Sequence, residues 1–230
     1  MYVHPLCPVT TPFDIAHNRT SEKIKKHGSV GMGFGATIQR QENLYQLFVQ
    51  DLYFETVLIA KLNAIASYYN ATNTEEEIDY FSGAVHDFGS RFLRLKCARE
   101  TRKIIQLSDD QILKQYNPIF EGAQGILLDM DFGFFPNVTR SNTTTKNALQ
   151  MHQASEVYYV TRSYLTRHGN GFLPNEKSLN LKNNENETNK SLEFQGEFRT
   201  AELNIDLLNY ALKCDSNFSF NLKKLGHYLS

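Results

Sequence analysis

The sequence predicts an α/β fold, and three observations predict it. Apolar residues recur at helical spacing within residues 39–70, at Phe54, Val57, Leu58, Ile59, Leu62, Ile65 and Tyr69. Residues 156–164, EVYYVTRSY, are rich in β-branched and aromatic types and read as a strand. Between them, Ile119 and Phe120 form one short apolar push and Ile126, Leu127 and Leu128 a second, with a small-residue corner, EGAQG, separating them. A strand that ends in such a corner offers backbone N–H groups and one side-chain amide, Gln124, to whatever lies at its end. In open α/β sheets that is where ligands bind.

Size and composition set the bounds. The chain has 230 residues, enough for one domain with a substantial core. Hydrophobic content of 41% with 21% charged residues is that of a globular protein. A net charge of -1 gives no electrostatic case for nucleic acid or an anionic membrane. No apolar run reaches membrane-spanning length, and the first residues, MYVHPLCP, lack the charged-then-apolar pattern of a secretory signal, so a cytoplasmic setting is expected. Cys7, Cys97 and Cys214 are widely spaced without a CxxC, and read as reduced thiols rather than zinc ligands. The glycosylation-type sequons at Asn70, Asn137 and Asn186 then read as incidental to an Asn-rich composition.

The elements follow in order. Residues 1–20 carry Pro5, Pro8 and Pro12 and read as mainly extended; one short helix is expected within 13–26, ending on Lys25, Lys26 and His27 before Gly28. Residues 39–70 read as a helical core segment. Thr74 followed by three glutamates reads as a cap and first turn of a second helical region, interrupted at Gly83 and Gly89 and reaching about Leu95. Ser108, Asp109 and Asp110 cap a third helix through Gln115, and His86 reads as a surface residue. After the strand at 156–164 comes a polar turn, TRHGNG, from Thr166 to Gly171. Residues 175–193 are rich in Asn, Lys and Glu and read as a flexible insertion, and Leu203 to Leu212 as an amphipathic helix.

Two places carry chemistry. Glycines at 28, 31, 33 and 35 make a loop that can close around a phosphate with its amides inward, or serve as a flexible surface loop; it lacks GxxxxGK[ST] and is no Walker loop. In the central stretch, Asp129 and Asp131 precede a hydroxyl and amide cluster of Thr139, Ser141, Asn142, Thr143 and Thr144, which can cap a helix or donate to phosphate oxygens. A buried hairpin and a capped helix without ligand is the alternative there.

The ordered string FEGAQG, LLDMDFG, a proline, VT and SNTT resembles the signature region of adenylosuccinate synthetases, the purine ligases that join aspartate to IMP with GTP. The likeness runs from Val3 to Leu229. GFGATIQR and VTRSNT are also similar to the divergent phage-type branch that makes 2-aminoadenylosuccinate, which brings dGMP in as an alternative to IMP. The resemblance implies a partial, P-loop-related α/β fold with a mostly parallel sheet and flanking helices, here as a single domain over 1–230, truncated at both ends relative to the family. It implies a nucleotide-binding set of Gly28, Val30, Gly31, Gly33, Gln124, Gly125, Thr139, Asn142, His168 and Gly169, with Arg199 for aspartate and Lys224 and Leu225 beside the triphosphate base. Val30 stands where the family has a phosphate-binding Thr and Met32 where it has Arg. Gly226 replaces the acid that reads guanine, which favours ATP over GTP or no triphosphate at all. The family's partner-subunit Arg falls at Leu44, with Arg40 one turn earlier expected as a solvated side chain.

The resemblance also implies Mg²⁺ with GTP or ATP, held by ligands outside this chain, and a homodimer. The family's Gly-Asp-Glu-Gly-Lys phosphate loop, with its general base, magnesium ligand and acid His, has no match here, so no catalytic or metal-binding residue is assigned. The chain is expected to be inactive alone and to require a second polypeptide that supplies the loop. The alternative is a catalytically dead purine-nucleotide-binding or assembly module.

Overall fold

The computed structural model describes residues 2–25, 28–72, 74–93, 106–108, 110–122, 125–152, 156–181 and 194–215. The α/β class holds. Among the described residues the strands form two two-stranded sheets: β1 (Tyr2–Val3) runs parallel to β2 (Gln106–Leu107), and β3 (Tyr164–His168) runs antiparallel to β4 (Phe198–Glu202). The described pairing is thus half antiparallel, where a mostly parallel sheet was expected. The chain divides into two compact units, Met1–Ser21 with Met32–Asn117, and Glu22–Gly31 with Pro118–Ser230.

In the first unit, α1 (Pro12–Lys25) opens with proline at its first position, where the missing N–H has no intrahelical partner to lose. Thr11 and Asp14 close a reciprocal box: Thr11 N and Oγ1 donate to Asp14 Oδ2 at 2.7 and 2.8 Å, and Asp14 N donates to Thr11 Oγ1 at 3.3 Å. The expected continuous helix over 39–70 is broken into α2 (Phe34–Glu42), a 3₁₀ turn Val49–Tyr53 and α3 (Glu55–Tyr68). The break follows from Leu44, which takes a left-handed φ of 68° and is largely exposed. Leu47, by contrast, is fully buried, and its carbonyl accepts from Val9 N and Gln41 Nε2. Unwinding the helix sends Leu47 inward, and burying such a side chain stabilises by ~2 kcal/mol.

α3 contributes Leu58, Leu62, Ile65 and Ala66, spaced i, i+4, i+7 and i+8, to a core shared with Phe13, Leu47 and Ile78. Val57 and Ile59, on the other side of that stripe, stay partly exposed. α4 (Thr74–Leu93) runs through Gly83 without interruption. A glycine in a helix interior costs about 1 kcal/mol relative to alanine, which weakens a helix but does not end it. Thr74 is the first helical residue, its hydroxyl donating to Ala71 O at 3.1 Å. Residues 110–115 form a 3₁₀ helix, a tighter turn than the helix expected there. His86 is exposed, as expected of a surface residue.

In the second unit, the strand read over 156–164 begins only at Tyr164, and Tyr158 and Val160 are 79% and 94% exposed. Strands need a ladder partner, and the register of β4 on this segment covers residues 164–168 and not those before them. Residues 118–122 likewise carry no strand, and Ile126–Leu128 is a 3₁₀ turn. α5 (Lys146–Met151) is short, and α6 (Ile205–Cys214) lies within two residues of its expected span, capped by Asn204 Oδ1, which accepts from Leu207 N at 2.9 Å.

Candidate functional site

The second unit holds an open cleft of about 720 Å³, within the range of small-molecule sites, lined by Glu22, Lys23, Gly28, Gly169, Gly196 and Arg199 among others. Its floor is a close approach of backbones. Gly169 has φ 60°, and a Cβ there would lie 2.6 Å from Gln195 O and 3.1 Å from Gly28 Cα. Gly28 has φ 87° and meets the same Gln195 carbonyl. Both positive φ values favour glycine, and at Gly169 the 2.6 Å separation leaves no room for a Cβ. The register that brings them together is set by the β3–β4 hairpin, in which Arg167 pairs with Arg199 and His168 with Phe198, and Gly169 N donates to Glu197 O at 2.8 Å.

Two carboxylates that the sequence reading missed sit on the anion-binding groups of this cleft. Glu22, 7% exposed, accepts from Gly28 N at 2.9 Å and Ser29 N at 3.3 Å. These are amides of the loop read as a phosphate cradle. Glu176 takes the fork of Arg199: Nε donates to Oε1 at 2.8 Å and Nη2 donates to Oε2, while Nη1 donates to Gly169 O at 2.7 Å and Gly171 O at 3.0 Å. The hydrogen bonds from Arg199 hold the Glu176 carboxyl below the usual range, and Glu176 in turn raises the Arg199 guanidinium. No local signal flags either acid. Glu22 reads as one more polar residue of α1, and Glu176 opens a stretch whose composition reads as loop.

Arg167, also missed, is the second guanidinium of the hairpin. Its Nε donates to Asn170 O at 2.9 Å and its Nη2 to Asn137 O at 2.8 Å. Burial, and then the neighbouring Arg199, lower its pKa. Arg167 thereby ties the turn after β3 to the segment carrying Val138 and Thr139.

The remaining sequence candidates fall elsewhere. His168 ends β3, its ring tilted against Phe198 at 5.1 Å between centroids, with a buried Nδ1 that lacks a hydrogen-bond partner in the structure. Val30 is 54% exposed, and Gly31 N donates to Ser29 Oγ at 3.3 Å. Gly33 belongs to the first unit, where it precedes α2 and its N–H donates to Asn18 Oδ1 at 3.3 Å. Gln124, Lys224 and Leu225 lie outside the described residues, as does Gly226.

The hydroxyl and amide cluster of the central stretch satisfies itself. Asp129 is fully buried and accepts from Asp131 N at 2.8 Å and Thr143 N at 2.5 Å. Burial opposes its charge, but these backbone bonds and the Asn142 amide outweigh it and hold its carboxyl below the usual range. Asn142 Nδ2 donates to Asp131 Oδ2 at 2.7 Å, Thr143 Oγ1 donates to Gly125 O at 2.9 Å, and Thr139 N donates to Leu128 O at 2.8 Å. Thr145 N and Oγ1 donate to Asp215 at 2.9 and 2.6 Å, which ties the residue preceding α5 to a partner 70 residues away.

Arg40, expected solvated, is instead wholly buried in the first unit. It pairs with Asp14 through Nε at 2.8 Å and Nη2 at 3.1 Å, and donates to the carbonyls of Val9 and Tyr45. Tyr69 Oη completes the group by donating to Asp14 Oδ1 at 2.9 Å. Burial, with Asp14 beside it, raises the Tyr69 pKa. Among the described residues no three His, Cys, Asp or Glu side chains converge as metal ligands would, and no helix is long and apolar enough to cross a membrane.

Comparison with known proteins agrees with the resemblance. The family model for adenylosuccinate synthetase matches residues 1–225. Among curated relatives, the chain is 33% identical over 188 residues to the adenylosuccinate synthetase of Teredinibacter turnerae, covering 75% of this chain and 42% of the relative. It is 30% identical over 189 residues to adenylosuccinate synthetase 1 of Pseudoalteromonas translucida, again covering 42% of the relative. The chain therefore spans less than half the length of these relatives. The structure of fully ligated adenylosuccinate synthetase from Plasmodium falciparum shares the fold, with a TM-score of 0.65 at 18% identity over 93% of this chain and 52% of that one. Sequence and fold together place the chain in the adenylosuccinate synthetase family.

Proposed function

We propose that this chain forms the nucleotide- and aspartate-binding portion of an adenylosuccinate synthetase-type ligase, a C–N bond-forming activity of purine nucleotide (AMP) biosynthesis. Its ligands are a purine monophosphate, IMP or dGMP, and aspartate. The observation that carries the reading is the cleft where Gly28, Gly169 and Arg199 meet, in a chain whose family is adenylosuccinate synthetase. Backbone amides of Gly28 and Ser29 are positioned to serve an anion, since they already serve the Glu22 carboxylate. Arg199 is positioned to serve a carboxylate, since it already holds one.

The reaction of this family moves a phosphoryl group onto the purine oxygen and displaces it with the amine of aspartate. That chemistry calls for a base, a triphosphate and charge neutralisation on the moving phosphoryl, each contributing at least ~10² in rate. The described residues offer no converging metal ligands, and Mg²⁺ bound with the triphosphate would supply charge neutralisation through ligands outside this chain. Within the same proposal, the triphosphate used is ATP or GTP. The assembly is a cytoplasmic homodimer.

Thermal-shift and calorimetric titration with IMP, GMP and dGMP test the binding. At a hundredfold excess over Kd a ligand stabilises by about 2.7 kcal/mol, which raises Tm by roughly 5–10 °C in a chain of this size. Heat and a Tm rise with one of these nucleotides is the expected result. No response to any of the three overturns the reading.

A further inference from the structure

We infer that Glu176 is a built-in competitor for the carboxylate subsite of the cleft, so that a small dicarboxylate ligand enters only by displacing it from Arg199. The inference rests on the reading of this cleft as a ligand site. Its ground is the match between what Arg199 now holds and what it is proposed to hold. A guanidinium binds a carboxylate with two parallel N–H···O bonds, and Glu176 already makes both, through Nε and Nη2. The third nitrogen is fixed by the carbonyls of Gly169 and Gly171, which aim the fork and leave it no second direction.

Glu176 is presented to that fork by its backbone, not by chance on a loose loop. It bridges Ala201 of β4, the following Lys177 N donates to Thr200 O at 2.9 Å, and Thr200 Oγ1 donates to Lys177 O at 2.7 Å. Asn175, just before it, takes a left-handed φ of 53°, a conformation Asn tolerates better than most residues. The backbone is thus anchored while the carboxylate is 45% exposed, against 19% for the Arg199 side chain. Rotation of the side chain into solvent frees the fork without moving a strand. A second observation runs in the same direction: the other anion-binding group of the cleft, the Gly28 and Ser29 amides, is held by Glu22 in the same manner. Both anionic ligand positions are filled from within the chain.

The test is calorimetric titration of the full chain with succinate and with L-aspartate. Glu176→Gln keeps the side-chain volume and removes the competing charge, and about fivefold tighter succinate binding is expected, the scale of a partly exposed ion pair. Adding Arg199→Ala to that variant abolishes the gain. A purely structural Glu176 would have the opposite sign, with lower Tm and weaker succinate binding. Equal or weaker affinity in Glu176→Gln overturns the inference, as does an absence of succinate binding. Should Glu176→Gln fail to fold, Glu176→Asp serves in its place: the anchored backbone and shorter reach break the two-point contact, and unchanged succinate affinity in that variant also overturns the inference. IMP titration of the same samples separates the two readings. IMP binding without a succinate gain removes only the competitor, and a succinate gain without IMP binding removes only the nucleotide assignment.

Discussion

Replacing Arg40 by Gln is the sharpest test of the first unit's architecture. Arg40 and Asp14 are each 0% exposed at the side chain and are joined by two hydrogen bonds. Arg40 also links the carbonyls of Val9 and Tyr45, which lie on the two chain segments flanking α1 and α2. The substitution leaves the Asp14 carboxylate buried with Thr11 and Tyr69 as its remaining partners, and leaves two carbonyls short of a donor. Removing one member of a buried pair costs about 3–5 kcal/mol, a large part of the roughly 5–15 kcal/mol that stabilises a typical domain. For a chain of this length the loss corresponds to a fall in Tm of roughly 6–20 °C. With no tryptophan and 12 tyrosines, the unfolding is followed by far-UV circular dichroism and tyrosine fluorescence in urea. The double variant Arg40→Met, Asp14→Leu recovers part of the loss, because no charge is then left alone, while the carbonyls of Val9 and Tyr45 still lack their donor and the Thr11 box is gone. A loss under about 1 kcal/mol for Arg40→Gln would refute the argument, since it would mean that water reaches Asp14 and the pair is not dry.

Two further outcomes follow from single residues. Gly169→Ala puts a Cβ 2.6 Å from the Gln195 carbonyl at a φ of 60°, so a loss of about 1–3 kcal/mol and weaker IMP binding are expected in chemical denaturation and calorimetry; a neutral variant would show that the floor of the cleft yields. Asp129 has a folded-state pKa held below its unfolded value, so its stabilisation is present above the ordinary carboxylate pKa and is lost as pH falls through the lower folded value. Stability of Asp129→Asn measured from pH 7 to pH 2 is therefore lower at neutral pH, by about 1.5–3 kcal/mol for lost charged hydrogen bonds, and falls less on acidification; parallel acid profiles for variant and parent would contradict the assignment.

The helices were legible where periodicity and punctuation agree. The lysines near residue 25 mark the end of α1, the stripe of Leu58, Leu62 and Ile65 marks α3, and Asn204 caps α6 close to its expected start. What local reading missed was the break at Leu44, because its cause is tertiary. Nothing about NLYQ forbids a helix, and it is the burial of Leu47 against α3 and Phe13 that makes the left-handed turn worth its strain. The strand at 156–164 failed for the same kind of reason. Tyr158 and Val160 have the right propensity, but the ladder partner lies opposite residues 164–168.

The site shows the same division between composition and pairing. Glycine positions could be read from the chain because a close backbone approach leaves a compositional mark, and Gly28 and Gly169 do approach. Arg199 stood out through the family resemblance of QGEFRT, and a fork for a carboxylate is a property of one residue. Its present partner could not, because Glu176 sits 23 residues away across a segment that reads as loop. The same holds for Asp215 and Thr145, 70 residues apart, and for Arg40 and Asp14, 26 apart. In each case the sequence names one charge or hydroxyl that needs a partner, and only the fold decides whether the partner comes from the chain or from a ligand. For Arg40 the pair is sealed from water on both sides, which commits it to structure. For Arg199 the partner is nearly half exposed, and an exposed carboxylate on a buried frame is a contact that a competing anion can take over.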